Sequence, residues 1–258
     1  MIITFSGVVI RSTNCGESDK IITVLTDEYG KMTVLVKGAR KAKSRFSAST
    51  GLFSYAEFTV SKTDKYTYLR ETDLKESFFD IRRDLASVAL AGYMCQVCDD
   101  AATEDDSGEM LSLLLNALYV LNKADKSVSH VKAVFEMRMA CICGFMPDTE
   151  GCSVCDHTLD GEAYLDVMNG AFICSSCKSH LNDGRTSESP EAYIICYVPR
   201  GTAAAIRYIV QSEPKRIFSF SLKGQDMACL EQTCEKYLLH HLERGFDALD
   251  FYKTVKEE

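Results

Sequence analysis

Apolar positions along the chain change period once, near residue 77. Before it, β-branched and aromatic runs recur at close spacing: Ile2 to Ile10, Ile21 to Thr26, Lys31 to Val36, Tyr55 to Ser61 and Tyr66 to Arg70. Short alternating runs of this kind predict five strands, and five strands in under 75 residues predict a small barrel. Asp27-Glu-Tyr-Gly30 reads as the hairpin loop between the second and third strands, with Gly30 where a positive φ is useful. A turn around Thr63-Asp-Lys65 joins the fourth and fifth. The longer excursion after the third strand is the layout of an OB-fold, whose open face and loops bind oligonucleotides; the pattern fits an SH3-like barrel as well.

From Ser77 the period becomes helical. Phe78, Ile81, Leu85, Val88, Gly92 and Cys95 predict one continuous buried face, which makes Cys95 and Cys98 core residues despite their C-x2-C spacing. Glu104-Asp-Asp106 and Ser107-Gly108 break the chain, and Leu111, Leu114, Leu115, Leu118 and Leu121 form the next stripe. A third helix starts at Val128-Ser129-His130 with Val131, Phe135, Met139 and Ile142 on one face, and Cys141 and Cys143 are read as packing. The polar stretch Leu181 to Pro190 reads as a hinge or loop. Thr202 is expected to cap a short helix carrying Ile206, Ile209 and Val210. Gln225-Asp226 is expected to start the last long one, with Met227, Leu230, Cys234, Tyr237 and His241 inward, so that His241 is a core residue and not a ligand.

Between these helices lies the sharpest chemical signal. Cys152-Ser-Val-Cys155 and Cys174-Ser-Ser-Cys177 form a C-x2-C…C-x2-C pattern with the spacing of a structural zinc site. Two such turns facing each other supply four sulfurs in a tetrahedron, which Zn2+ accepts without strain. Tyr164 to Met168 and Ala171 to Ile173, around Asn169-Gly170, predict two strands joined by a two-residue turn, and hence a zinc ribbon. A metal-free dithiol pair is the competing reading. A catalytic zinc is disfavoured, because it needs an open coordination position.

Composition narrows the function. Twelve cysteines, no apolar run long enough to span a bilayer and no signal-peptide pattern at Met1 to Gly7 point to a reducing, cytoplasmic setting. The net charge is −8, but residues 1 to 80 carry +2 and the remainder −10. An acidic remainder repels phosphate and directs it to the N-terminal part. There, Lys37, Arg40, Lys41, Lys43 and Arg45 place five cations in nine residues with no acid, which suits phosphate contact. Phe46 and Phe53 flank this loop, and Tyr66 and Tyr68 project from one side of the last strand, as a stacking platform for single-stranded bases requires. The plainer alternative is a solvated loop anchored by its phenylalanines. No P-loop, nucleophile elbow, paired-carboxylate motif or open metal site is present, so the chain is not expected to be an enzyme.

The residues that carry these features also resemble a known family. Gly7-Val-Val-Ile-Arg11, Gly16-Glu-Ser-Asp-Lys20, Ile22 to Thr26, Tyr29-Gly-Lys31, Val36 to Lys41 and Lys43-Ser-Arg45 are similar to the N-terminal domain of the bacterial RecO family. Glu71 to Phe78, Cys143-Gly-Phe-Met-Pro147, and the tail Tyr237-Leu, His241 to Arg244 and Leu249 to Phe251 continue the likeness. Ala42 stands where that family commonly has proline, Ser47-Ala48 where it has small glycines, and Asp156 where glycine is usual.

The resemblance implies an α+β protein: an N-terminal five-stranded OB-fold barrel followed by an α-helical domain with an inserted zinc ribbon. On this sequence that gives an OB domain at 1–76, helices at 77–146 and 183–258, and a ribbon at 147–182. It implies Lys37, Arg40, Lys41, Lys43 and Arg45 for DNA, and Cys152, Cys155, Cys174 and Cys177 for one structural Zn2+. It further implies a non-catalytic DNA repair and recombination mediator, cytoplasmic and nucleoid-associated, that binds single- and double-stranded DNA and anneals complementary strands. Such a mediator works with RecR to load RecA on strands coated by single-strand DNA-binding protein. The alternative is a zinc-stabilised protein-interaction module with incidental DNA contact.

Overall fold

A computed structural model describes residues 1–159, 161–178 and 194–257. Its contacts divide the chain into two compact units, Met1–Asp125 with Phe246–Glu258, and Lys126–Gly245. This division falls elsewhere than at residue 76, because the first two helices and the last one cluster with the N-terminal strands.

In the first unit, β1 (Ile2–Cys15), β2 (Asp19–Thr26), β3 (Lys31–Val36), β4 (Tyr55–Lys62) and β5 (Thr67–Glu76) form a closed barrel in the order β1-β2-β3-β5-β4. β1 closes it by pairing antiparallel with β2 along its C-terminal half and with β4 along its N-terminal half. β3 and β5 meet in parallel at Leu35 and Tyr68. This is OB-fold topology, and it settles the choice left open between two kinds of small barrel.

Alternation fills the interior. Phe5, Val9, Ile22, Val24, Val34, Val36, Phe58 and Val60 point inward, and the Phe5 and Phe58 rings stack at 5.9 Å on directly paired residues. Gly7 is required where β1 passes β2, since a Cβ there would press on the Leu25 carbonyl. The β2–β3 loop forms as expected: Gly30 has φ 60, and the Thr26 amide and hydroxyl both donate to its carbonyl at 2.9 Å. Val8 and Leu25, on the outer face, are buried where α1 (Leu85–Ala101) and α2 (Ser107–Lys123) pack on β1 and β2.

The continuous helical face from Phe78 is corrected by the structure. Phe78 takes a left-handed conformation, Phe79–Arg83 is a 3-10 turn, and α1 starts only at Leu85. The reason is local: the Asp84 carboxylate accepts from the Ser87 amide at 2.8 Å and its hydroxyl at 2.6 Å, an N-cap that restarts the helix in a new phase. Leu85 is therefore exposed, and the buried face is Leu90, Ala91, Met94, Val97 and Cys98. Cys95 and Cys98 are core residues, and burial pushes the Cys95 thiol up.

In the second unit, α3 (Val128–Ile142), α4 (Arg200–Gln211) and α5 (Gly224–His241) pack on one another, and α5 also meets β8 of a three-stranded sheet in the order β7-β6-β8. Its strands are β6 (Ala163–Asp166), β7 (Ala171–Ile173) and β8 (Ile195–Val198). β8 has no counterpart in the sequence reading: a four-residue strand next to polar chain leaves little periodic signal. The turn in the ribbon is also longer than expected. Asp166 pairs with Ala171, so four residues turn, and the buried Asp166 carboxylate accepts from Met168 N, Asn169 N and Asn169 Nδ2 at 2.7–3.2 Å. Thr202 is not a cap but lies inside α4, its hydroxyl donating to the Asp226 carbonyl. A final helix, α6 (Asp247–Glu257), packs on α1 in the first unit. The expected hinge at 181–190 lies outside the described residues.

Lys132, on α3, is 1% exposed and bridges Glu136 at 2.8 Å and Glu235 at 2.7 Å, which pins α5 to α3. His130 lies in the same unit, buried against Phe220 with ring centroids 4.4 Å apart. Burial, and after it the Lys126 charge, push this imidazole down from 6.5 to about 4, against a hydrogen bond with the Phe218 backbone. The unfolded chain takes up that proton below pH 6.5 and the folded chain does not, so stability present above pH 6.5 is lost towards pH 4. His130→Phe should accordingly lose less melting temperature between pH 7 and pH 5 than the wild type. An equal loss in both would assign the acid sensitivity to other groups.

Candidate nucleic-acid interface and metal centre

The β3–β4 connection, residues 37–54, leaves the barrel and returns as a folded excursion. Gly38, at φ 67, turns the chain out of β3, and its amide donates to the Asp19 carboxylate at 2.8 Å. That bond, then the Ser18 hydroxyl, hold Asp19 below its usual range, and Lys37 and Lys41 add to the effect. Backbone turns follow from Lys41 to Ser44 and from Phe46 to Thr50, so the loop is ordered by its own hydrogen bonds despite Ala42 at the proline-like position.

Lys37, Arg40, Lys41, Lys43 and Arg45 are all exposed, and none forms an ion pair among the described residues. They are not equally free. The Arg40 guanidinium donates to the Gly16 and Glu17 carbonyls at 3.0 and 3.1 Å, and Arg45 donates to the Arg70 carbonyl at 2.9 Å while lying over the Phe46 ring. Lys37 sits 5.0 Å above Tyr68, whereas Lys41 and Lys43 extend from the turn. Phe53 is buried at 3% exposure and Phe46 packs on the barrel core, so both anchor the loop and neither offers a stacking face.

An outward-facing apolar row lies beside the loop. Ile21 of β2 pairs with Leu35 of β3, which pairs with Tyr68 of β5, so three outward side chains line up across the barrel wall. Ile21 and Leu35, with Cys15, Thr33 and the β4–β5 turn Lys62 to Thr67, line a groove of about 450 Å³. Tyr66, 57% exposed, stands at its edge with its ring 6.0 Å from Tyr68. Lys62 and Lys65 add cations to the rim. Among these, Ile21, Leu35, Lys62 and Lys65 were not singled out in the sequence, although Ile21 and Leu35 occupy the strand positions that alternation assigns to solvent. An apolar side chain there is the signal that could have found them.

In the second unit the four ribbon cysteines converge: the sulfurs of Cys152, Cys155, Cys174 and Cys177 all lie within 4.8 Å of one another. A tetrahedral thiolate site with metal–sulfur bonds of about 2.3 Å has edges of roughly 3.8 Å, and Cys155 and Cys174 are 3.9 Å apart. The turns are built for sulfur. Asp156 takes φ 56, the left-handed conformation that favours glycine, and its amide donates to the Cys152 carbonyl at 2.8 Å. The Cys174 amide donates to the Cys152 sulfur at 3.3 Å, and the Cys177 amide to the Cys174 sulfur at 3.4 Å. Although burial opposes it, the Cys174, Val154 and Cys155 amides hold the Cys152 thiol down at about 6. Four sulfurs that close on one point can hold a metal ion and leave no open position for a substrate. Arg207 of α4 ties this hairpin to its surroundings, donating to the Thr149 and Leu159 carbonyls at 2.7 Å and lying over Phe172.

An OB-fold barrel with a cationic loop, joined to helices that carry a four-cysteine ribbon, defines the class: an α+β protein of the OB-plus-ribbon type. Residues 1–78 match the family model described as Recombination protein O N terminal, and residues 82–250 the one described as Recombination protein O C terminal. The chain belongs to the RecO family of DNA repair proteins. It is 35% identical to the DNA repair protein RecO of Acetivibrio thermocellus, across 97% of this chain and 96% of that protein. The RecO proteins of Thermoanaerobacter sp. and Caldicellulosiruptor bescii are 24% and 27% identical over 96% and 99% of this chain, and 96% and 99% of their own lengths.

If the ribbon sulfurs act together, purified protein should carry about one thiophilic metal ion per chain by elemental analysis. Cys155→Ser should lose it and melt at lower temperature, while Cys196→Ser, outside the cluster, should retain it. Equal metal content in the two variants would rule out the four-sulfur site.

Proposed function

We propose that this chain is a non-catalytic DNA-binding recombination mediator, and the observation that carries the reading is the exposed, unpaired cationic loop beside an apolar groove on an OB-fold. Lys37, Arg40, Lys41, Lys43 and Arg45 contact phosphates, with Lys41 and Lys43 the most available and Arg40 and Arg45 partly committed to the loop itself. Phosphate contact of this kind does not distinguish single strands from duplex. The groove supplies the distinction. Tyr66, over the row Ile21, Leu35 and Tyr68, stacks bases that only an unpaired strand presents. Neutralising two strands on one surface lowers their mutual repulsion, and base pairing then drives annealing without nucleotide hydrolysis.

In functional terms, 1–76 is the nucleic-acid-binding domain, 147–182 the ribbon, and 77–146 with 183–258 the helical remainder. One Zn2+ held by Cys152, Cys155, Cys174 and Cys177 supplies folding energy to the ribbon and no chemistry. Membership in the RecO family supports a cytoplasmic, nucleoid-associated role in which the protein works with RecR and single-strand DNA-binding protein to place RecA on DNA. The same cations would also fit an acidic protein tail. In that second reading the chain is an interaction module, and excess acidic peptide should displace single-stranded DNA from it.

Replacing Lys37, Lys41 and Lys43 with Ala should weaken binding to both single strands and duplex. It should also flatten the plot of log affinity against log salt by about 0.7 to 0.9 per lost contact. Tyr66→Ala should lower single-strand affinity by about tenfold, from roughly 1–3 kcal/mol per stacked base, and leave duplex affinity unchanged. Fluorescence anisotropy over a salt series reads both; an unchanged slope in the triple variant would move the interface elsewhere.

A further inference from the structure

The acidic part of the chain contains a strong local reversal of charge. Residues 200–223 carry Arg200, Arg207, Lys215, Arg216 and Lys223 against the single acid Glu213, a net +4 within a C-terminal part, 81–258, of −10. Arg207 is spent on the ribbon. Lys215, Arg216 and Lys223 are exposed and form no ion pair among the described residues.

The segment that bears them is tied down at several points. Ile217 and Phe218 are buried, and Phe220 sits between His130 and Tyr208 with ring centroids at 4.4 and 5.4 Å. Lys126 Nζ donates to the Phe220 carbonyl at 2.8 Å, and the Tyr208 hydroxyl donates to the Arg216 carbonyl at 2.9 Å. Backbone bonds from Arg216 N to the Glu213 carbonyl and from Ser219 N to the Arg216 carbonyl close the turn, both at 2.9 Å. A cation on an ordered backbone loses less entropy on binding than one on a loose tail. A protein that stabilises itself with cations would have paired them with some of the many acids of this half; these three are left facing solvent.

We infer that Lys215, Arg216 and Lys223 form a second phosphate-binding surface, for a nucleic-acid backbone, on the second unit. The inference rests on the reading of the chain as a nucleic-acid-binding protein but not on the barrel loop being a contact. It gives the acidic half a place where a polyanion is attracted, and a mediator that pairs two strands has use for two such places.

The test uses the full chain in three forms: wild type, the triple variant K215A/R216A/K223A, and the loop variant K37A/K41A/K43A. A labelled oligothymidylate is titrated at a series of potassium chloride concentrations, with melting temperature and bound metal as checks on folding. The expected result is a salt slope lower by about 2 in K215A/R216A/K223A, about 0.7 for each lost contact, with folding unchanged. A wild-type slope in that variant overturns the inference, including the case where the patch serves an acidic protein instead. If the loop variant keeps the wild-type slope while K215A/R216A/K223A loses it, the second surface stands and the barrel-loop assignment fails.

Discussion

Barrel closure is the constraint on which the rest depends. β1 must hydrogen-bond to both β2 and β4, and β3 must meet β5, so the chain can travel from β3 to β4 only around the outside of the wall. That detour is residues 37–54. Its apolar members, Ala39 and Phe53, turn into the core, and its cations have nowhere to go but solvent. The wall beside it carries Ile21, Leu35 and Tyr68 outward, in contrast to Val8 and Leu25, which α1 and α2 bury. Charge and apolar surface thus meet side by side as a consequence of topology.

The electrostatics follow the same separation. With a net charge of −8, nucleic acid is repelled at distance and attracted only where positive charge is concentrated and unpaired. Elsewhere among the described residues some cations are paired with acids: Lys132 between Glu136 and Glu235, Lys31 and Arg11 on Asp99. In the ribbon, the amide-to-sulfur bonds and the left-handed Asp156 gather four sulfurs that could hold a metal ion.

Much of this was legible in the sequence, and the failures have identifiable causes. Strand alternation found all five barrel strands, but it ended β5 at Arg70 because that strand has only Leu69 buried and runs on to Glu76 through exposed or half-buried positions. The cysteine spacing found the ribbon, because four thiols in that order have few other uses. Period counting failed at Phe78 to Leu85, where a cap at Asp84 resets the helical phase, and at β8, which is too short for a pattern. At the candidate interface the loop cations were evident from charge alone. The groove was not, since alternation places Ile21 and Leu35 outward but only the paired strands bring them together with the β4–β5 turn. For Phe46 and Phe53, where the sequence left stacking and anchoring both open, the structure has them holding the loop in place.

The claim that the barrel loop grips phosphate is tested most directly by lysine reactivity. Amine-directed labelling of the full chain, read by mass spectrometry with and without saturating single-stranded DNA, reports each lysine separately. The account expects strong protection of Lys37, Lys41 and Lys43, with Lys75 and Lys123 unchanged. Equal labelling of the three loop lysines in both conditions would contradict it.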